Sequence, residues 1–528
     1  MEKKLVFLAL FIFLFTSTYS QNSQWEWART LGASIDDDIE RNIELYGCKV
    51  AIDSKGNSYV AGLYSDTIMF NGEEVMAIPG IQEVDVFLAK YGSNGEPLWI
   101  KSFGAKGPDF VMGVVVDSND NVFVTGGFES TLHVGDSTIV GRGEVDGFLV
   151  SFTSAGQHRF STSFGSDKDD LPTDIACDGK NIFITGGCLG QYFNYNGIEL
   201  YDKSFFVIKI NVQGLPEWVS SLDDNNGYIR TGQIAPDHHG GCYISGKLYE
   251  ITIGNDTIKS SGFNNTSLVH ITSQGIADWV QTIDNCQIVS IDANSTSVCV
   301  LANFQDSIVI SDSIFSSPNI NKSTPSTLTA IYSRDGIFKN VYFGSGANHV
   351  GYDVCADSLG RFIISGRCGR DISFGNMSDT VETVNSIAGF VARIDELGNT
   401  SLLITIPTQA FNSVFLASVS SNVKNEIIVA GFYRDSILFD SERLFSVSSD
   451  PDVIIAKIGS PLSVSKYSPQ EKKAKSFPNP STGFIKVNYS TSSPSPVTIT
   501  LHDILGREVL RREMGVQSEG EHEESLDV

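Results

Sequence analysis

The chain has 528 residues, 41 % of them hydrophobic, enough apolar material for a large core or more than one domain. Its net charge is −25 and its pI about 4.6, a surface that repels phosphate backbones and argues against nucleic acid as a partner. The same balance suits a soluble secreted protein, or one that meets cations.

The first twenty residues read as a signal peptide. Lys3 and Lys4 precede an apolar run from Leu5 to Phe15, and small residues at Thr18 and Ser20 offer a cut before Gln21. The run is too short to span a bilayer. No later stretch is long and apolar enough for a membrane helix, so no transmembrane segment is expected in the mature chain.

From there a motif of about 60 residues recurs seven times, the mark of stacked supersecondary units. Clear copies read Asp53-Ser-Lys-Gly-Asn57-Ser-Tyr59-Val-Ala-Gly62 and Asp117-Ser-Asn-Asp-Asn121-Val-Phe123-Val-Thr-Gly126. Later copies begin at Asp178, Asp237, Asp292 and Asp357, and a degenerate one at Asn422. Each unit holds strands and turns with no helical period. Four strands are predicted per repeat: a before the Asp (Val50–Asp53), b after it (Ser58–Gly62), c (Asp85–Tyr91) and d (Leu98–Phe103). Asp53–Asn57 turns a into b, and Ser93-Asn-Gly-Glu-Pro97 turns c into d. Gly and Asn recur there because positive φ costs them little.

An array of this kind predicts an all-β fold, a β-propeller of seven blades. The seventh repeat has a strand c, Asp452–Lys457, and no d. The mature N-terminus has a d-like strand, Trp25–Leu31, and no c. Pairing them closes the ring and removes two open edges. Residues 21–458 form the propeller, and 459–476, rich in Gly, Pro, Ser and Lys, read as a linker. Residues 477–528 begin with a Pro-Asn-Pro turn and continue as alternating strands, a small β-sandwich.

The repeat resembles the seven-bladed propeller repeat common in secreted bacterial proteins, which implies an extracellular location. The tail resembles the type A sorting domain of type IX secretion in Bacteroidetes. Pro478, Asn479, Pro480 and Gly483, then Asp503, Gly506 and Arg507, match that pattern. The resemblance implies export across the outer membrane by the type IX machinery. Family members continue with a Leu-x-x-Gly-x-Tyr segment, so the tail reads here as an incomplete domain.

No GxSxG, HExxH, P-loop or GxGxxG motif occurs. Cys48, Cys177, Cys188, Cys242, Cys286, Cys299, Cys355 and Cys368 form no CxxC pair, which leaves zinc and redox motifs without support. Cys177, Cys242, Cys299 and Cys355 fall in predicted strands and read as small buried hydrophobes, with one or two disulfides open to an oxidising envelope. His238-His239 read as a surface turn. The acidic d–a loops, Asp36, Asp37, Asp38, Asp167, Asp169, Asp170, Asp223 and Asp224, converge on one face, where oxygen ligands could hold calcium. Solvated turn residues are the plainer reading, and calcium is the one cofactor expected. Asp-Ser/Thr before an apolar residue resembles the O-glycosylation acceptor pattern of Bacteroidetes at Thr67, Thr257, Ser307, Ser313, Thr380 and Ser436; the plain alternative is a turn entering a strand.

The expectation is therefore a secreted or surface propeller that binds a glycan or protein without catalysis. The rival classes are a polysaccharide hydrolase or lyase with paired carboxylates on the d–a face, and a purely structural surface protein.

Overall fold

The computed structural model describes residues 12–15, 25–33, 48–65, 67–77, 84–104, 107–201, 205–222, 232–247, 250–253, 256–259, 266–311, 313–319, 325–346, 349–369, 371–380, 387–406, 413–439, 442–446, 451–459, 475–477, 484–491, 495–502, 508–518 and 520–527. The chain divides into two compact units, Trp25–Ser460 and, separately, Met1–Gln24 with Pro461–Val528. Every regular element among the described residues is a strand.

The turns follow directly from the sequence. Asp53 Oδ1 accepts from Lys55 N and Asn57 N, both at 2.9 Å, and Asn57 Nδ2 donates to Oδ2 at 2.7 Å. The carboxylate thus satisfies the amides that a tight reversal exposes. Asp117, Asp178, Asp237, Asp357 and Asn422 repeat the arrangement. In the fifth repeat the role falls to Asn294, which accepts from Thr296 N and Ser297 N, and not to Asp292. A shift of two residues leaves the alternation of faces unchanged, so period-two patterning could not separate the two positions.

The c–d turns place Gly95, Gly156, Gly214, Gly275, Gly336 and Gly398 at φ between +77° and +83°. A large ring from strand d of the preceding repeat lies on each: Trp27, Trp99, Phe160, Trp218, Trp279 and Tyr342 in order. Where the ring carries a donor, it bonds a carbonyl of the same turn, as Trp27 Nε1 does to Ser93 O at 2.9 Å and Trp218 Nε1 to Ser273 O at 3.0 Å. Glycine is required twice over, for its φ and for the ring above it.

The sheets form a propeller-like arrangement, with the first, second, third, sixth and seventh repeats each contributing one four-stranded a–b–c–d set. The fourth and fifth repeats share a single ten-stranded sheet, because Ala277–Ala293 runs unbroken from strand d of one into strand a of the next. Five separate blades are thus distinct, against the seven expected. The cores lie between neighbouring repeats, such as Ala51, Tyr59 and Leu88 packed with Val122, Phe148 and Phe152.

One element was not foreseen. Each repeat carries a hairpin between b and c, among them Thr67–Phe70 with Glu73–Met76, Tyr192–Tyr195 with Ile198–Tyr201, and Asp371–Phe374 with Met377–Thr380. Asn71-Gly72 and Asn196-Gly197 turn two of them with positive φ at both residues, the geometry that two-residue hairpins favour. The hairpins reach back to strand d of the preceding repeat. Gly32 pairs with Met69, Phe164 with Tyr195, Gly344 with Phe374 and Gly104 with His133.

The N-terminal strand closes the ring as expected. Trp25–Ala33 pairs antiparallel with Asp452–Ile458, Leu31 facing Val453 and Ala28 facing Ala456. In the smaller unit, Phe484–Thr491 pairs with both Lys475–Phe477 and Gly520–Asp527. Ser495–His502 pairs with Glu508–Gln517 and with Ile12–Phe15. Two three-stranded sheets result.

Candidate functional site

The seven strands a enclose an axial cavity of about 690 Å³ that opens at the a–b turns, where Ser54, Ser118, His238, Ser295, Ser358 and Val423 line it. The residue four places before each turn Asp or Asn lines its inner part. These are Lys49, Gly113, Asp174, Gln233, Ser290, Asp353 and Ser418. Such residues would be misplaced in a strand buried on both faces, and they sit here because one face of strand a looks into the cavity.

Four of them form a belt between repeats. Ile234 N donates to Asp174 Oδ2 at 3.0 Å, Val354 N to Ser290 Oγ at 3.2 Å, Val419 N to Asp353 Oδ2 at 2.9 Å, and Val50 N to Ser418 Oγ at 3.3 Å. Asp353 also accepts from the hydroxyls of Ser290 at 2.8 Å and Ser418 at 3.0 Å. Asp292 accepts Ala356 N at 2.7 Å and Ala293 N at 2.8 Å. Each carboxylate therefore holds the next repeat's backbone in place. Removal from water pushes Asp174 up to about 7 and Asp292 up to about 6, against the pull of Lys49 on the first and of two amides on the second.

The turn residues form an outer rim. Ser118 donates to Gly179 O, Asn294 Nδ2 to Gly360 O at 2.8 Å, and Asn422 Nδ2 to Asp53 O at 3.0 Å. The His238 ring nitrogen lies 3.0 Å from Ala293 O, and His239 lies against Arg334. The two histidines are committed to different neighbours.

The residues marked in the sequence fare differently. Asp36, Asp37, Asp38, Asp223 and Asp224 lie outside the described residues, as do Pro478, Asn479, Pro480, Gly483, Asp503, Gly506 and Arg507. Asp167 is exposed and Asp169 half-buried, whereas Asp170 is buried and accepts from Ser166. The three do not converge on a common point in solvent. No group of three or more His, Cys, Asp or Glu poised for a metal occurs among the described residues. Thr67, Thr257, Ser307, Ser313, Thr380 and Ser436 all lie in the b–c hairpins. Ser313 is exposed and Ser436 buried, so the second offers no acceptor surface. Asp306 and Asp435 take φ of 61° and 59°, which makes the Asp-Ser pair at these two places a bend entering the hairpin. All eight cysteines are free thiols, and burial pushes Cys48, Cys177, Cys188, Cys286 and Cys368 up to about 12.

Sequence reading missed the cavity-lining set. Its signal was a polar residue at one fixed position in six of the repeats, visible once the repeats are aligned on the turn.

A propeller-like ring with an axial polar cavity is thus joined to a small β tail. Residues 475–528 match the secretion system C-terminal sorting domain. The tail indicates type IX export and a secreted or cell-surface location. No helix among the described residues is long and apolar enough to cross a membrane. The chain is also similar to an uncharacterized WD repeat-containing protein of Acanthamoeba polyphaga mimivirus, 22 % identical over 497 residues, covering 74 % of this chain. It spans 35 % of that relative's length. Among solved structures it is similar to the polysaccharide lyase Uly1, at 9 % identity and a TM-score of 0.36 over 86 % of this chain and all (100 %) of that one. It is similar to an α-L-arabinofuranosidase from Fusarium graminearum at 8 % identity and a TM-score of 0.32, over 81 % and 97 % of the two chains. Likenesses this distant carry no argument about activity.

Proposed function

We propose that the protein is a secreted, seven-bladed propeller that binds a small polar ligand, such as the end of a glycan, in its axial cavity without turning it over. Seven blades are supported by the order of neighbouring strands a, which runs through all seven repeats and returns from Val414–Ser421 to Cys48–Ile52. Seven core clusters, each between two adjacent repeats, support the same count. In this reading the ten-stranded sheet is two blades sharing one long strand. The N-terminal run acts as a leader removed before Gln21, and its pairing with the tail belongs to the precursor alone.

The observation that carries the non-catalytic reading is the belt. Asp174, Asp292 and Asp353 accept from backbone amides of the next repeat, and a group fixed in that way is poorly placed to move protons. The rival reading, a glycan hydrolase or lyase, draws support from Asp174 and Asp292 being held near neutral pH inside a cavity. A glycan array followed by turnover assays on its hits separates the two. Binding with no product formed is the expected result. Turnover abolished by Asp174→Asn or Asp292→Asn in a folded variant sinks the non-catalytic reading.

A further inference from the structure

A second polar cluster lies away from the axial cavity, between the second and third repeats. Asp146 begins the buried part of strand c in one, and Asp170 opens strand a in the next. They are 1 % and 0 % exposed. Asp146 Oδ2 accepts from Arg142 N at 2.6 Å and Gly143 N at 2.9 Å, and Asp170 Oδ2 accepts from Ser166 N and from Ser166 Oγ at 2.6 Å. The other oxygen of each, Oδ1, is buried and has no hydrogen-bond partner. The two carboxylates converge on one glycine. A Cβ on Gly165 would collide with Asp146 Oδ1 and lie 2.9 Å from Asp170 Oδ2.

Two carboxylates in a dry interior repel one another, and desolvation opposes the charge on both. Burial raises both above the ordinary carboxylate range, Asp170 to about 6. The pair thus needs either a shared proton or a cation. Arg142 supplies no ion pair, since its guanidinium donates to Asn194 O. Cys188 lies beside Asp170, but its thiol is neutral, donates to Gly190 O, and offers no thiolate to a soft metal. What remains is hard oxygen.

The arrangement recurs. Asp85 begins strand c of the first repeat and Asp109 precedes strand a of the second, both buried. A Cβ on Gly104 would collide with Asp85 Oδ1 and lie 2.8 Å from Asp109 Oδ2. At the boundary of the fifth and sixth repeats the acid pair is replaced as a unit by Ser326 and His349, with Gly344 as the glycine. The neutral His349 is packed on Phe374 and Phe390. Acid meets acid, or neutral meets neutral.

We propose that Asp146 and Asp170 hold a hard divalent cation, calcium by preference, that ties the second repeat to the third, with backbone carbonyls or water completing its shell. Two carboxylates make a weak site, in the range of about 10⁻⁴ to 10⁻³ M usual for extracellular calcium modules. The site is separate from the axial cavity and from any ligand bound there.

The test uses the full mature chain, stripped with EDTA and titrated with calcium chloride. Bound calcium is read by equilibrium dialysis and the thermal midpoint by fluorimetry. Calcium should raise the midpoint by several degrees through mass action. Asp146→Asn with Asp170→Asn, near-isosteric and charge-removing, should lower the bound calcium by one equivalent. Should the double variant fail to fold, Asp146→Asn alone must still weaken that equivalent at least tenfold. Equal midpoints in EDTA and calcium, or an unchanged equivalent count in either variant, overturn the proposal. A calcium-independent rise in stability on Asp170→Asn also overturns it, since that is the behaviour of a pair sharing a proton.

Discussion

Replacing Trp27 by Ala tests the closure of the ring at its most exposed joint. Trp27 lies on the N-terminal strand beside Lys457 of strand c in the seventh repeat. It is 7 % exposed, bonds Ser93 O at 2.9 Å, covers Gly95, and meets Tyr91 at 6.4 Å between ring centroids. Arg29 lies over the same ring at 5.9 Å. Deleting a buried indole costs about 3–5 kcal/mol, and the hydrogen bond accounts for about 1 kcal/mol of it. Trp27→Phe keeps the ring on Gly95 and loses the bond, so it should cost only about 1 kcal/mol. Urea unfolding of both variants against the parent gives the two differences, provided the slope is unchanged. A Trp27→Ala loss below about 1.5 kcal/mol would refute the assignment of this strand as a structural part of the seventh blade, because no surface residue and few others give so small a penalty.

Gly275→Ala should destabilise by at least about 1–3 kcal/mol, because φ is +80° there and its Cβ would lie 2.9 Å from the Trp218 ring; a midpoint within error of the parent argues against the ring-on-glycine contact. His349 is buried with both ring nitrogens unpartnered, and burial lowers it from 6.5 to about 3. The unfolded chain therefore takes up a proton at 349 that the folded one refuses. Its contribution is present above pH 6.5 and is lost as pH falls toward 3, at up to about 1.4 kcal/mol per unit. His349→Leu should flatten that acid limb in stability-versus-pH curves, and an unchanged slope between pH 6 and 4 counts against the reading. His270 acts with the opposite sign: Asp237 at 3.1 Å and Asp278 at 2.7 Å outweigh its burial and raise it, so its stabilisation is full below pH 6.5 and fades as pH rises through the raised value. Fusing residues 461–528 to a leader-bearing reporter should send it to the surface of a type IX-competent host, and periplasmic retention would count against the tail as a sorting signal.

Much of the ring was legible because its turns are chemically specific. Asp53 with Asn57 and the glycine of each c–d turn announce themselves through hydrogen-bonding and φ requirements that few residues meet. Closure was legible from an orphan strand at each end. The turn of the fifth repeat was misplaced because Asp292 and Asn294 are two apart and face the same way. The hairpins were overlooked although Asn71-Gly72 and Asn196-Gly197 marked two of them; their short strands looked like loop between b and c. The cavity set stayed hidden because it is defined across repeats: Asp353 is ordinary until Ser290 and Ser418 stand on either side of it. The blade count was blurred by Ala277–Ala293, which reads as two strands in sequence and forms one in space.

The pairing of Trp25–Ala33 with Asp452–Ile458 also sets an order of events. The first strand to emerge during synthesis finds its partner only when nearly the whole ring has been made. Until then two edges stand open and the largest loop in the chain is unclosed, the slowest kind of contact to form. The growing chain can assemble its middle repeats from neighbouring segments, but it cannot lock. A pause, a truncation or a late proteolytic cut before residue 452 would leave an open, adhesive crescent, and a chain handed on before that point would travel without its final rigidity.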